Sequence, residues 1–126
     1  MDIDPERRKK PQLAATETET SQLRAVNGAA QRRSTQTGPQ FASAVSLSQS
    51  RVNAATVQDL LTANKIIKDM KGARDQEIRI HAFPPGTELV SIFWHDAALA
   101  NRPDYTSTGG YIGGLAPKSI LEGKKA

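Results

Sequence analysis

The chain has 126 residues, a formal net charge of +4 from 17 Lys and Arg against 13 Asp and Glu, no Cys, and six aromatic side chains. That length holds one small domain, and with no thiols and only two His it excludes disulfide staples, cysteine nucleophiles and the usual structural zinc sites; an oxygen-ligand site for a hard cation such as magnesium stays open. No run of about 18 apolar residues is present, and no apolar stretch follows the charged residues 1–10, so the composition predicts a soluble intracellular protein, cytoplasmic or nuclear, with no membrane span.

The large core-forming residues are unevenly placed. Leu, Ile, Val and Phe number 25, with 7 in Met1 to Arg51 and 18 in Val52 to Ala126. The total sits near the roughly 20% level at which burial just suffices for folding, which predicts a core belonging mainly to the C-terminal part and a chain that is a piece of something larger.

Residues 1–22 are polar, alternate Thr and Glu over Thr16 to Thr20, and carry no apolar period, which predicts a disordered tail. From Leu23 to about Thr37, the apolar positions Leu23, Val26, Ala29 and Ala30 form a thin helical stripe, with Ser21 as its N-cap and Gly38-Pro39 as its stop. Phe41, Ala44, Val45 and Ser48 predict a second short helix. A third is marked by Thr56 and Asp59 at capping-box spacing, an apolar stripe of Val57, Leu60, Leu61, Ile67 and Met70, and a terminating Gly72. The period then changes to 2: Ile78, Ile80 and Ala82 alternate with Glu77, Arg79 and His81, predicting a half-buried strand ended by Pro84-Pro85-Gly86. Leu89 to Trp94 predicts a second strand, central and covered on both faces, and Tyr111 to Leu115 another, after a turn at Arg102-Pro103-Asp104. Helices followed by strands predict an α+β chain with a tail over 1–22, a helical part over 23–75 and a strand part over 76–126.

Few residues point to chemistry. Asp96 follows the apolar strand, where a fixed carboxylate open to a loop suits a divalent cation, although turn formation and N-capping are the commoner uses of such an Asp. Among the later acids, Asp104 and Glu122, neither ends an apolar strand. Gly109-Gly110-Tyr111-Ile112-Gly113-Gly114 lacks the following Lys of a phosphate loop and fits a strand passing close to neighbouring backbone. His81 falls on a polar strand face, and His95 and Asp96, as strand neighbours, point to opposite sides. Lys65, Lys68 and Lys71 recur at helical spacing with Arg74 beyond them. With Arg32-Arg33 they form a candidate surface for nucleic-acid backbone, against the plainer reading of solvated charge.

The order of segments resembles the end of the reverse transcriptase region and the start of the ribonuclease H domain in copia-type LTR retrotransposon polyproteins. The resemblance runs from about Leu23 to Leu115. It rests on Leu23 to Gln31, Thr37 to Ser48, the helix ending Ile66-Ile67-Lys68-Asp69-Met70-Lys71-Gly72, His95-Asp96-Ala97-Ala98-Leu99-Ala100, and Thr106-Ser107-Thr108-Gly109-Gly110-Tyr111. It implies the last reverse transcriptase helices joined to the opening strands of an incomplete ribonuclease H-like sheet. It also implies a parent that acts on RNA·DNA hybrids with two magnesium ions held by four acids. Asp96 matches the first of those acids, as catalytic residue and metal ligand; the other three and the polymerase carboxylates have no counterpart before Ala126, so two-metal chemistry is incomplete. The sequence departs from the family at Arg32-Arg33, where apolar or aromatic residues are usual, at Gly38-Pro39-Gln40 and at Ala98-Leu99. These changes predict a degenerate, truncated and inactive copy that binds no magnesium stably by itself. Two alternatives are a non-catalytic nucleic-acid-binding protein and a host-reused interaction module whose basic N-terminal segment binds an acidic partner.

Overall fold

The computed structural model describes residues 1–102 and 104–123. Its elements run α1 (Pro5–Arg8), α2 (Glu17–Gln36), α3 (Ala42–Ser50), α4 (Val57–Gly72), β1 (Leu89–Ala98) and β2 (Thr108–Pro117), with short 3₁₀ turns at Pro39–Phe41, Val52–Ala54 and Lys118–Glu122. The chain is α+β, with helices first and strands after. It divides into two compact units, Met1–Arg79 and Ile80–Ala126.

In the helical unit, residues 1–22 do not behave as the disordered tail that their composition predicts. Ile3 is fully buried against Leu23, Val57, Leu60 and Ala63. The backbone explains the rest. The first N–H groups of a helix have no partner within it, and those of Val57 and Gln58 donate to Leu13 O at 2.9 Å and Pro11 O at 3.0 Å. Asn64 Nδ2 donates to Met1 O at 2.9 Å. One apolar side chain and a few backbone acceptors therefore fix the segment to α4, and neither leaves a periodic signature.

Helix α2 begins earlier than its apolar stripe. Its N-cap is Thr16, in place of Ser21, within a capping box: Glu19 N donates to Thr16 Oγ1 at 3.2 Å, and the Glu19 carboxylate accepts from Thr16 N at 2.8 Å. Arg7 closes on the same carboxylate at 2.8 Å. The Thr16 backbone hydrogen bond is the main cause that holds the Glu19 pKa below its usual value, partial burial opposes it, and Arg7 adds to the lowering. A lowered folded-state pKa contributes stability that is complete above the unfolded carboxylate value of 4.5 and disappears as pH falls through the folded value. Acid titration followed by far-UV circular dichroism should thus show the unit weakening below that point. Glu19→Gln should flatten the dependence and cost about 1 kcal/mol at neutral pH, the usual loss for a cap.

The buried face of α2 is Leu23, Asn27, Ala30 and Ser34. Val26 is only partly buried and Ala29 is exposed, so the stripe lies about one position around from the apolar residues. Asn27 is accommodated by Ser48 of α3, whose Oγ donates to Asn27 Oδ1 at 2.8 Å; Asn27 Nδ2 has no partner among the described residues. Helix α4 follows its pattern closely. Thr56 and Asp59 form the capping box, and the Asp59 carboxylate accepts from Thr56 N at 2.8 Å and Oγ1 at 2.9 Å. Val57, Leu60, Ala63, Ile66 and Met70 are buried, with Leu61 and Ile67 packed beside them. Gly72 is the last helical residue and Ala73 the C-cap. Two apolar clusters result, one around Leu60 with Ile3 and Leu23, the other joining Ala30, Val45, Ile66 and Met70.

The second unit is an antiparallel hairpin. Its register pairs Leu89 with Pro117, Phe93 with Gly113, Asp96 with Gly110 and Ala98 with Thr108. The alternating segment Ile78 to Ala82 forms no strand, and Ile80 is 89% exposed. A strand needs a neighbouring backbone to bond, and no strand pairs with this one among the described residues. Pro84-Pro85-Gly86 does turn the chain, with Gly86 at φ +79° and Thr87 N donating to Pro84 O. β1 is four residues longer than Leu89 to Trp94 and is not covered on both faces, since Phe93 is 66% and Trp94 60% exposed. The glycines lie within β2, but not because backbone passes close to them: Gly109, Gly110 and Gly114 have open space at the Cβ position, and only Gly113 is crowded, by the Phe93 ring. Of the turn expected at Arg102-Pro103-Asp104, Pro103 lies outside the described residues; Arg102 and Asp104 do fall in the connection between the strands. Residues 124–126 of the strand part also lie outside them.

Candidate functional site

Two surfaces bring chemistry-bearing side chains together, one in each unit. In the hairpin, Asp96 lies within β1, not beyond its end. It borders an open concavity of about 380 Å³ with Trp94, Thr108, Gly110, Tyr111 and Ile112. One carboxylate oxygen, Oδ1, accepts from Ala97 N at 2.9 Å. His95 lines the same concavity, although as the next residue on the strand its side chain projects to the other face. Asp104 is committed to a local turn. Its Oδ1 accepts from Thr106 Oγ1 at 2.7 Å and from Thr106 N at 3.2 Å, bonds that lower its pKa. Among the described residues no group of three His, Asp or Glu is placed to hold a metal ion. His81 is exposed in the stretch that precedes the hairpin and has no strand face.

The second surface is α4. Lys65, Lys68, Lys71 and Arg74 are all exposed, and three positions spaced by three residues span about 120° of helix circumference. They do not form one uniform stripe. Lys65 lines a groove between α3 and α4 that also holds Arg51, Asp59 and Asp69, so its cations and acids balance. Lys71 and Arg74 line a different groove, between α2 and α4, with Arg33, Ala29, Ile67 and Met70. Lys68 lies on the ridge between. Of the Arg32-Arg33 pair, Arg32 is exposed and Arg33 half-buried, with its Nε wholly covered and without a hydrogen-bond partner among the described residues. The rotation of α2 decides which member of the pair turns inward.

Three of the four basic residues of the N-terminal run form ion pairs within the unit. Arg7 pairs with Glu19, Arg8 with Asp2 at 3.4 Å and Lys9 with Glu6 at 2.7 Å. No helix among the described residues is long and apolar enough to cross a membrane. No family model, curated protein or solved structure matches the chain.

Proposed function

We propose that the chain is a catalytically silent segment of a copia-type polyprotein, carrying the last helices of its reverse transcriptase region and the first strands of its ribonuclease H domain. The observation that supports this most is the pairing of the two segments on which the ribonuclease H resemblance rests. They are neighbouring antiparallel strands, with Asp96 opposite Gly110, and they follow a capped helical unit in the order the resemblance implies. A four-carboxylate site clamps two metal ions so that attacking and leaving oxygens are both stabilised. Asp96 alone supplies one carboxylate, whereas clamping two magnesium ions takes carboxylates shared between both.

The expected result is therefore no magnesium-dependent cutting of an RNA·DNA hybrid by the purified chain and no change on Asp96→Asn. Robust cutting that the substitution abolishes would reverse the assignment. Genomic sequence flanking the coding region gives an independent check: polymerase motifs upstream and further ribonuclease H acids downstream support the polyprotein origin, and clean start and stop signals with neither favour the host-reuse reading.

A non-catalytic role in nucleic-acid binding is the second reading, favoured by the exposure of Lys65, Lys68, Lys71 and Arg74. Each phosphate neutralised releases counterions, so the affinity for a single strand or hybrid should fall steeply between low and physiological salt. No binding at low salt to single strands, duplexes or hybrids rules this role out.

A further inference from the structure

We propose that the groove between α2 and α4 docks an acidic amphipathic segment of a partner protein, with an apolar side chain on its floor and carboxylates against Arg33, Lys71 and Arg74.

The groove has a volume of about 360 Å³. Its floor is apolar, from Ala29 and Ala30 of α2 and Ile67 and Met70 of α4, and methionine adapts its shape to different apolar guests. Its rim carries three cations and no acid. The neighbouring α3–α4 groove, of the same volume, sets Asp59 and Asp69 against Arg51 and Lys65. The two differ in charge balance, and only the first is complementary to an anion.

Arg33 adds a separate observation. Its Nε has lost water without gaining a hydrogen-bond partner among the described residues. A covered donor on a charged group is costly to leave unpaired. Arg33 also lines the groove and is half-buried, so a carboxylate there would face a partly desolvated cation. Lys71 makes no ion pair among the described residues. Arg74 pairs only with the adjacent Asp75, at 3.4 Å and with both side chains largely in water, a contact worth little and readily exchanged.

The lining favours a protein segment over nucleic acid. Single strands bind through aromatic platforms as well as cations, and no aromatic residue lines this groove. A peptide with a Leu flanked by Glu matches both floor and rim. In the basic N-terminal segment Arg7 is already held by Glu19 at 2.8 Å with both side chains largely covered.

The probe is a fluorescein-labelled helical peptide with paired Leu on one face and Glu on either side, titrated with the full chain and read by fluorescence anisotropy at low salt. Arg33→Gln and Lys71→Gln should each weaken binding about tenfold. Ala29→Leu, which fills the exposed edge of the floor without altering charge, should weaken it as much, and Lys65→Gln should leave it unchanged. Replacing Glu by Gln in the peptide, or Leu by Ser, should abolish the signal. Circular dichroism of each variant separates lost binding from lost folding, and Lys71→Gln, at an exposed position, serves if a more buried substitution unfolds the unit. Equal loss with Lys65→Gln would make the effect general surface charge and overturn the proposal. So would wild-type affinity in Ala29→Leu, no peptide binding at all, or a single-stranded oligothymidylate that binds more tightly with the same dependence on Arg33 and Ala29.

Discussion

Leu60→Ala is expected to destabilise the helical unit by about 2–5 kcal/mol, the range for removing a buried leucine and leaving part of its volume empty. Leu60 is wholly inaccessible and belongs to the cluster that joins α4 to Leu23 of α2 and to Ile3. The cluster is small: its buried members beyond those three are Ala55, Val57 and Ala63. Three of the six are thus large aliphatic side chains from separate segments, and the residues packed around them, Met1, Ala15, Val26, Val52 and Leu61, are only partly buried. Small domains hold only about 5–15 kcal/mol in total, so the loss removes a substantial fraction of the unit's stability. Urea denaturation followed at 222 nm should show a lower midpoint with little change in slope. A midpoint within experimental error of wild type would mean that this cluster does not hold the unit together.

Ile3→Ala should cost nearly as much, about 2–4 kcal/mol, despite its place three residues into the chain. Terminal residues usually tolerate change. Ile3 is 1% exposed, and its neighbours are held by Arg8 Nε donating to Ile3 O at 2.9 Å and by the Asn64 bond to Met1 O. Its truncation loosens the segment whose Leu13 and Pro11 carbonyls complete the first turn of α4. Amide exchange at Val57 and Gln58 should therefore accelerate in the variant, together with the loss of global stability. If stability falls but those two amides keep their protection, the segment and the helix start are not coupled.

How much of this was legible in the sequence depends on whether the signal is local. Helix α4 was readable because Thr56, Asp59 and its apolar spacing all lie within one stretch. The N-terminal segment was not, because its order comes from one isoleucine and from carbonyls that any residue carries. For the same reason Thr16, five residues before the expected cap Ser21, caps α2: its partner Glu19 was visible in the Thr-Glu alternation, but alternation resembled a solvated tail. Ile78 to Ala82 failed in the opposite direction. Its alternation was as clear as any in the chain, yet strand formation depends on a neighbour that local pattern does not reveal. Asp96 was expected just past the apolar strand and lies inside it, and the β2 residues beside it, Thr108, Gly110, Tyr111 and Ile112, come from a pairing that local pattern does not reveal. The cations of α4 were all recognised as exposed; their separation into a balanced groove and an unbalanced one depends on where α2 and α3 pack.

The attachment of the first residues to α4 also constrains how the chain can fold. Met1 and Asn64 meet across 63 positions of sequence, and Ile3 reaches its cluster only when α4 is present. Contacts so distant along the chain must close a long loop before they stabilise anything, which slows folding relative to a bundle held by neighbours alone. During synthesis the N-terminal segment emerges first and waits, with Ile3 exposed, until Val57 to Met70 have been made. The hairpin pairs nearby residues and has no such delay. The helical unit is therefore expected to fold more slowly than the hairpin, with the N-terminal segment docking only once α4 has formed.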